Sequence, residues 1–160
     1  MNSMAREKTL VDAFSPDECH YLLQELRAFD RARWFHRTKI NSRPTQGSTE
    51  ADYYFCGDRQ QPKEFNEYLH SLAPKIEGAW LAEACVNWYP VGSHMPEHVD
   101  IARYRYNMVV ALNDEGDGVE CSGIFVPDVP GRGIIFPARS EPHRVPPVKH
   151  ERFVIIYLYE

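Results

Sequence analysis

Four side chains in the second half of the chain have the types and the spacing for metal chemistry: His98, Asp100, His143 and Arg152. His98 and Asp100 are two residues apart, so on extended backbone they share a face and can bind one metal ion from one side. His143 is the candidate third ligand, because a neutral imidazole is a common iron ligand once deprotonated. Two imidazoles and one carboxylate on one side of an ion leave its opposite coordination face open. Arg152 follows His143 by nine residues and opens the run Arg152-Phe153-Val154-Ile155-Ile156-Tyr157-Leu158-Tyr159. Pro146 and Pro147 force a turn between the two, so they can sit on neighbouring strands. Arg152, Val154, Ile156 and Leu158 then share one face, with a guanidinium at the end of an apolar row. A buried arginine is costly unless an anion meets it, and a carboxylate bound by two parallel hydrogen bonds is its best partner.

A rival metal pattern overlaps the first two ligands. His94-Met95-Pro96-Glu97-His98 matches H-x-x-E-H, the inverted zincin motif. That motif needs a helix, so that two histidines one turn apart face the same zinc. Pro96 in its middle removes a helix hydrogen bond and clashes with the preceding turn, at a cost of ~3 kcal/mol or more. Pro90 and Gly92 upstream oppose a helix further, which leaves His94 as a loop residue or at most a substrate contact.

The elements that must hold these residues fall into two textures. Ser15-Pro16-Asp17-Glu18 opens a helix, with Ser15 as cap, Pro16 in the first turn and two acids at the positive end of the dipole. Leu22, Leu23, Leu26 and Phe29 recur at helical spacing, which predicts a helix over Pro16 to Phe29. A strand is predicted over Trp34 to Ile40, a polar loop over Asn41 to Glu50, and a short strand or aromatic lid at Tyr53-Tyr54-Phe55. A second helix starts near Pro62, carried by Phe65, Leu69, Leu72 and Ile76 and ended or kinked by Pro74. Met1 to Thr9 reads as a frayed start before the short apolar run Leu10-Val11.

After Gly78 the chain turns to short apolar or alternating runs split by Gly, Pro, Asn and Asp. Strands are predicted over Leu81 to Tyr89, Tyr104 to Leu112, Val119 to Phe125, Gly133 to Phe136 and Phe153 to Tyr159. Their spacing fits an antiparallel barrel or sandwich, and helices followed by strands is an α+β order. There are no repeats and no low-complexity tract.

Composition bounds the rest. A length of 160 residues sets the expectation of one domain, 1–160, with a core of its own. Hydrophobic residues at 43% and aromatics at 12% mark a globular chain. A net charge of -5 argues against chain-wide attraction to nucleic acid or to an anionic membrane, and leaves a local basic patch open. Arg27, Arg31, Arg33, Arg37, Lys39 and Arg43 cluster, which reads first as a solvated face. Cys19, Cys56, Cys85 and Cys121 form no CxxC, which argues against a zinc ribbon or a redox pair. With no leader pattern and no run of ~18 apolar residues, a cytoplasmic protein with reduced thiols and no membrane partner is expected.

His98-x-Asp100, then His143, then Arg152 resembles the Fe(II)/2-oxoglutarate-dependent dioxygenases. His143-Arg144-Val145-Pro146-Pro147-Val148 with Arg152 is similar to the stretch ending prolyl-4-hydroxylase-type domains, and Tyr89-x-x-Gly92 before Pro96-x-His98-x-Asp100 is similar to their lead-in. The resemblance covers roughly Leu81 to Glu160. It implies a double-stranded β-helix (a cupin-like jelly roll) with the N-terminal helices packed on it. It also implies Fe(II) held by His98, Asp100 and His143, and 2-oxoglutarate held by Arg152 with help from Tyr89. O2 is the oxidant, and ascorbate is an accessory that the resemblance admits. The implied activity is hydroxylation of a peptide or small molecule, with a peptidyl or free amino-acid side chain as first expectation.

Asn87-x-Tyr89-x-x-Gly92 also resembles the AlkB-like nucleic-acid demethylases, where the Asn and Tyr contact 2-oxoglutarate. Those enzymes carry a second arginine six residues after the anchoring one, and here that position is Leu158. This departure and the net charge disfavour a nucleic-acid substrate. A relic triad in an inactive ligand-binding barrel is the reading from outside enzymology. Trp88, Tyr104, Tyr106 and Phe136 read first as core. Arg103 and Arg105 fit either substrate contacts or exposed strand charges. His20, His36, His70 and His150 carry no assigned role. The segment Asn41 to Asp58, with Arg43, Tyr53 and Tyr54, is expected to border the pocket mouth, since loops on a rigid scaffold usually carry specificity.

Overall fold

The computed structural model describes residues 9–113 and 116–160. Apart from Thr9, the frayed start expected at the N-terminus lies outside the described residues. Thr9 itself opens a short strand, β1 (Thr9–Asp12), where the sequence showed only an apolar pair. Helix α1 (Pro16–Arg27) begins as its capping residues dictate: Ser15 Oγ accepts from the Glu18 amide and the Glu18 carboxylate accepts from the Ser15 amide. It stops two residues short of Phe29, and Leu22 and Leu26 supply its buried stripe. Helix α2 (Lys63–Leu72) buries Phe65 and Leu69. It ends before Pro74, because the residue preceding a proline is pushed out of helical conformation; Ile76 lies beyond it.

Strands β2 (Phe35–Lys39), β3 (Arg43–Pro44) and β4 (Glu50–Cys56) separate the helices, and β5 (Leu81–Tyr89) follows α2. The remainder is β6 (Met95–Val99), β7 (Tyr106–Ala111), β8 (Gly118–Cys121), β9 (Ile124–Pro127), β10 (Arg132–Phe136), β11 (His143–Val145) and β12 (Arg152–Tyr159). One expected strand, Val119 to Phe125, is instead the hairpin β8–β9. Ser122 and Gly123 both have positive φ, 49° and 80°, and make the two-residue turn whose twist matches antiparallel strands.

Every strand pairing among the described residues is antiparallel. A seven-stranded sheet runs β1-β10-β7-β12-β5-β4-β2 and a five-stranded sheet runs β3-β6-β11-β8-β9. Two facing antiparallel sheets with these crossovers form a jelly roll, with both helices on the outside of the larger sheet.

Strand alternation divides the core in two. On β12, Phe153, Ile155 and Tyr157 face the helices, and Tyr157 donates to the Leu69 carbonyl at 2.6 Å. Its other face turns Arg152, Val154, Ile156 and Leu158 into the space between the sheets. Strand β7 divides likewise, with Met108 and Val110 outward and Val109 and Ala111 inward. Asp117 fixes the turn between β11 and β12, where its carboxylate accepts from the Lys149 and His150 amides at 2.9 and 3.1 Å. Among the described residues no helix is long and apolar enough to cross a membrane.

Candidate metal centre

The three candidate ligands meet on the smaller sheet. His98 on β6 and His143 on β11 are direct cross-strand partners, with ring centroids 4.2 Å apart. Asp100 follows one residue after β6, where its amide donates to the Ala138 carbonyl at 2.9 Å. His98 Nε2 and His143 Nε2 lie 3.3 and 3.4 Å from the same oxygen, Asp100 Oδ1. The ligating atoms of all three residues lie within 4.8 Å of one another.

Second-layer hydrogen bonds set the orientation of each ligand. His98 Nδ1 is 2.8 Å from the Pro96 carbonyl and His143 Nδ1 is 2.8 Å from the Glu141 carbonyl. A carbonyl only accepts, so both Nδ1 atoms carry a proton and each ring turns Nε2, the atom that would ligate a metal once deprotonated, toward Asp100. Asn107 Nδ2 donates to Asp100 Oδ2 at 3.0 Å, which leaves Oδ1 to the imidazoles. Burial works against charge on Asp100, but hydrogen bonds from His143 and His98 outweigh it and hold the carboxyl far below its usual range. His143 moves the opposite way: burial lowers its pKa, and the Asp100 carboxylate more than restores it.

The triad opens on a cavity of about 320 Å³ between the sheets. Its other wall is the inner face of β5 and β12, where Glu83, Cys85, Asn87 and Tyr89 stand opposite Leu158, Ile156, Val154 and Arg152 in register. Arg152 is 1% exposed. Its Nε and Nη2 donate to the two oxygens of Asp128 at 2.7 and 2.9 Å, while Nη1 is buried without an acceptor. Burial acts against the guanidinium charge; the Asp128 carboxylate outweighs it and holds the pKa above the ordinary value. Arg152 also lies 5.2 Å over the Tyr89 ring. Asn87 Nδ2 donates to the Tyr89 hydroxyl at 3.3 Å, and Asn87 Oδ1 is left buried without a donor. Burial raises the Tyr89 and Tyr53 phenols, opposed by Arg152 and Arg37 respectively, so both stay protonated donors at neutral pH. Burial also pushes the Cys85 thiol up to about 12, which makes it a wall and not a nucleophile.

No family model matches this sequence, and no curated protein does. Solved structures do. A prolyl-4-hydroxylase from Pseudomonas putida is 19% identical, with 98% of this chain and 94% of that one covered and a TM-score of 0.69. A viral collagen prolyl hydroxylase from Paramecium bursaria Chlorella virus-1, solved with 2-oxoglutarate, is 16% identical over 98% and 97% of the two chains, TM-score 0.61. The epimerase SnoN, solved with Fe3+, α-ketoglutarate and nogalamycin RO, is 15% identical over 97% and 79%, TM-score 0.70. This chain has the 2-oxoglutarate–Fe(II) oxygenase fold, in its prolyl-4-hydroxylase-like form.

Within this oxygenase fold, the residues singled out in the sequence divide clearly. His98, Asp100, His143, Asn87, Tyr89 and Arg152 all line one cavity. His94 does not: it bridges to Asp52, and H-x-x-E-H is extended from Met95 to Val99. Of the expected mouth residues, Asn41, Ser42 and Tyr53 line the cavity, whereas Tyr54 lies on the opposite sheet face among the outer core. Arg103 pairs with Glu160 at 2.8 Å and Arg105 donates to the Gly78 carbonyl at 2.8 Å, so both are tied outside it. Sequence reasoning missed Asn107 and Asp128, and it read Arg37 only within a solvated basic face, whereas Arg37 lines the cavity. Alternation along β7 puts Asn107 on the same face as Val109, and that was the one available signal.

Proposed function

We propose that this protein is an Fe(II)- and 2-oxoglutarate-dependent dioxygenase acting as one domain, with His98, Asp100 and His143 as the iron ligands. The observation that carries it is the donor set: two imidazole Nε2 atoms converge on one carboxylate oxygen, beside a cavity lined by Arg152, whose Nη1 is buried without an acceptor. Two nitrogens and one oxygen on one side suit iron and leave room for other ligands. When bound, the iron couples decarboxylation of 2-oxoglutarate to succinate with oxidation of a substrate C–H bond by O2.

The chain's own residues do the rest. The Pro96 and Glu141 carbonyls hold the two imidazoles in the ligating tautomer, and Asn107 aims Asp100. Asp128 grips one edge of Arg152 and leaves Nη1 of this cavity-lining residue without an acceptor, where it can meet the far carboxylate of 2-oxoglutarate. The Tyr89 hydroxyl can add a second donor, and Asn87 orients that hydroxyl. Val109, Val119, Val145, Val154 and Ile156 keep the cavity walls apolar, which strengthens these polar contacts by excluding water. The substrate class we assign is an amino-acid side chain or a related small molecule. Leu158, where a second arginine would stand for AlkB-like chemistry, faces Glu83 across the ladder, so that position offers no cation to a nucleic acid.

The test is succinate formation from 2-oxoglutarate with and without Fe(II). No iron-dependent turnover, together with no visible absorption band on anaerobic addition of Fe(II) and 2-oxoglutarate, would sink the proposal. Asn107→Ala is a finer probe. Losing a partner that orients a ligand typically costs about 10- to 100-fold in metal affinity, so Fe(II) titration should show a loss of that size while succinate yield at saturating iron largely recovers.

A further inference from the structure

We propose that Arg37 forms a second anion subsite in the cavity, and that the primary substrate is carried there by a carboxylate. This deepens the oxygenase reading and rests on it. Arg37 stands on β2 opposite Tyr53 of β4 and lines the same cavity as the triad. Its guanidinium lies 4.8 Å over the Phe55 ring. Its Nε is buried without an acceptor, and among the described residues the side chain has neither hydrogen-bond nor ion-pair partner. Its neighbours in the arginine cluster differ: Arg31 and Arg33 donate to the Trp34 and Gln60 carbonyls at 3.2 and 2.7 Å. Burying part of a guanidinium without an acceptor is unfavourable unless a ligand supplies one.

The placement explains what such a ligand is. Arg37 and Arg152 terminate one row across the larger sheet, with Tyr53 and Tyr89 between them stacked at 5.3 Å. The order β2-β4-β5-β12 puts their backbones three strand spacings apart, about 14 Å. A cosubstrate held between Arg152 and the metal centre therefore leaves Arg37 to another anion. Asp100 and Glu83 already bring negative charge to the cavity, and Glu83 is engaged by the Tyr104 hydroxyl and lies 3.9 Å from Arg103. A singly charged carboxylate suits this balance better than a phosphate dianion. Phe55 and Tyr53 beside Arg37 supply an aromatic wall for the attached carbon skeleton.

The probes are phenylacetate, its neutral isostere phenylacetamide, phenyl phosphate, and the capped peptide acetyl-Ala-Glu-Ala-amide. Each is titrated calorimetrically into the wild type, Arg37→Gln and Arg37→Lys, with Mn(II) and 2-oxoglutarate present and again without them. A charge-assisted guanidinium–carboxylate contact predicts that phenylacetate or the peptide binds roughly 10- to 100-fold tighter than phenylacetamide. That preference should vanish in Arg37→Gln and survive in part in Arg37→Lys. Which of the two acids binds tells whether the carboxylate is free or peptide-borne. Equal binding of acid and amide, no binding up to millimolar concentrations, or an unchanged preference in Arg37→Gln would overturn the subsite. Phenyl phosphate binding tighter than phenylacetate would overturn the carboxylate assignment. The titrations need no turnover, so an Arg37-dependent preference in a protein that never forms succinate would overturn the oxygenase reading and leave the subsite standing.

Discussion

Asp100→Ala is expected to abolish iron-dependent succinate formation, by at least about 10³-fold, while the circular dichroism spectrum keeps its β-sheet form. An outer partner typically costs 10- to 100-fold when lost, and Asp100 is the contact shared by both imidazoles. Its removal leaves two neutral nitrogens, which do not neutralise a divalent cation. The ladder that carries the histidines does not depend on the Asp100 side chain, because Asp100 is anchored through its amide to Ala138. Turnover within a factor of ten of wild type at saturating iron would remove Asp100 from the ligand set. Loss of the spectrum would instead make it a structural residue.

The second large effect is expected at Asp128. Breaking a buried ion pair by removing one partner costs roughly 3–5 kcal/mol, because the other charge is left uncompensated. Asp128→Asn should therefore lower the unfolding free energy by that amount in denaturant titrations without ligand. The stranded charge is the one we assign to 2-oxoglutarate, so the ligand should recover part of the loss. A ligand at a hundred times its Kd adds about 2.7 kcal/mol to stability, and the recovery should be larger for Asp128→Asn than for the wild type. Arg152→Met buries the Asp128 carboxylate instead, and added 2-oxoglutarate should stabilise it little. Equal ligand-induced shifts in the wild type and in both variants would mean that Arg152 does not meet the cosubstrate.

What the sequence revealed and what it hid follow one physical line. Period-two alternation needs only local residues, so β5 was readable to its last residue, and the inner face Arg152, Val154, Ile156, Leu158 could be read from β12 alone. Pro96 was enough to rule out the helical zinc motif. The hairpin β8–β9 was read as one strand because Ser122, not a second glycine or asparagine, takes the left-handed position. Asn107 and Asp128 were invisible because their partners, Asp100 and Arg152, lie on other strands whose register no local pattern encodes. Arg37 was hidden differently: in a run of basic residues, composition does not show which one the pleat of β2 turns inward.

The direct pairing of His98 with His143 across β6 and β11 has a kinetic corollary. β11 is three residues long and its register slips between His143 and Val145, so this ladder has few bonds of its own. An ion held by both imidazoles would tie the two strands together, and a swing of one strand away from the other would break one of its bonds. Its residence time would then depend on the breathing of a short, irregular ladder as well as on ligand exchange at the ion. Substitutions far from the cavity that stiffen β11, at the Asp117-bound turn for example, would lengthen that residence without touching a ligand.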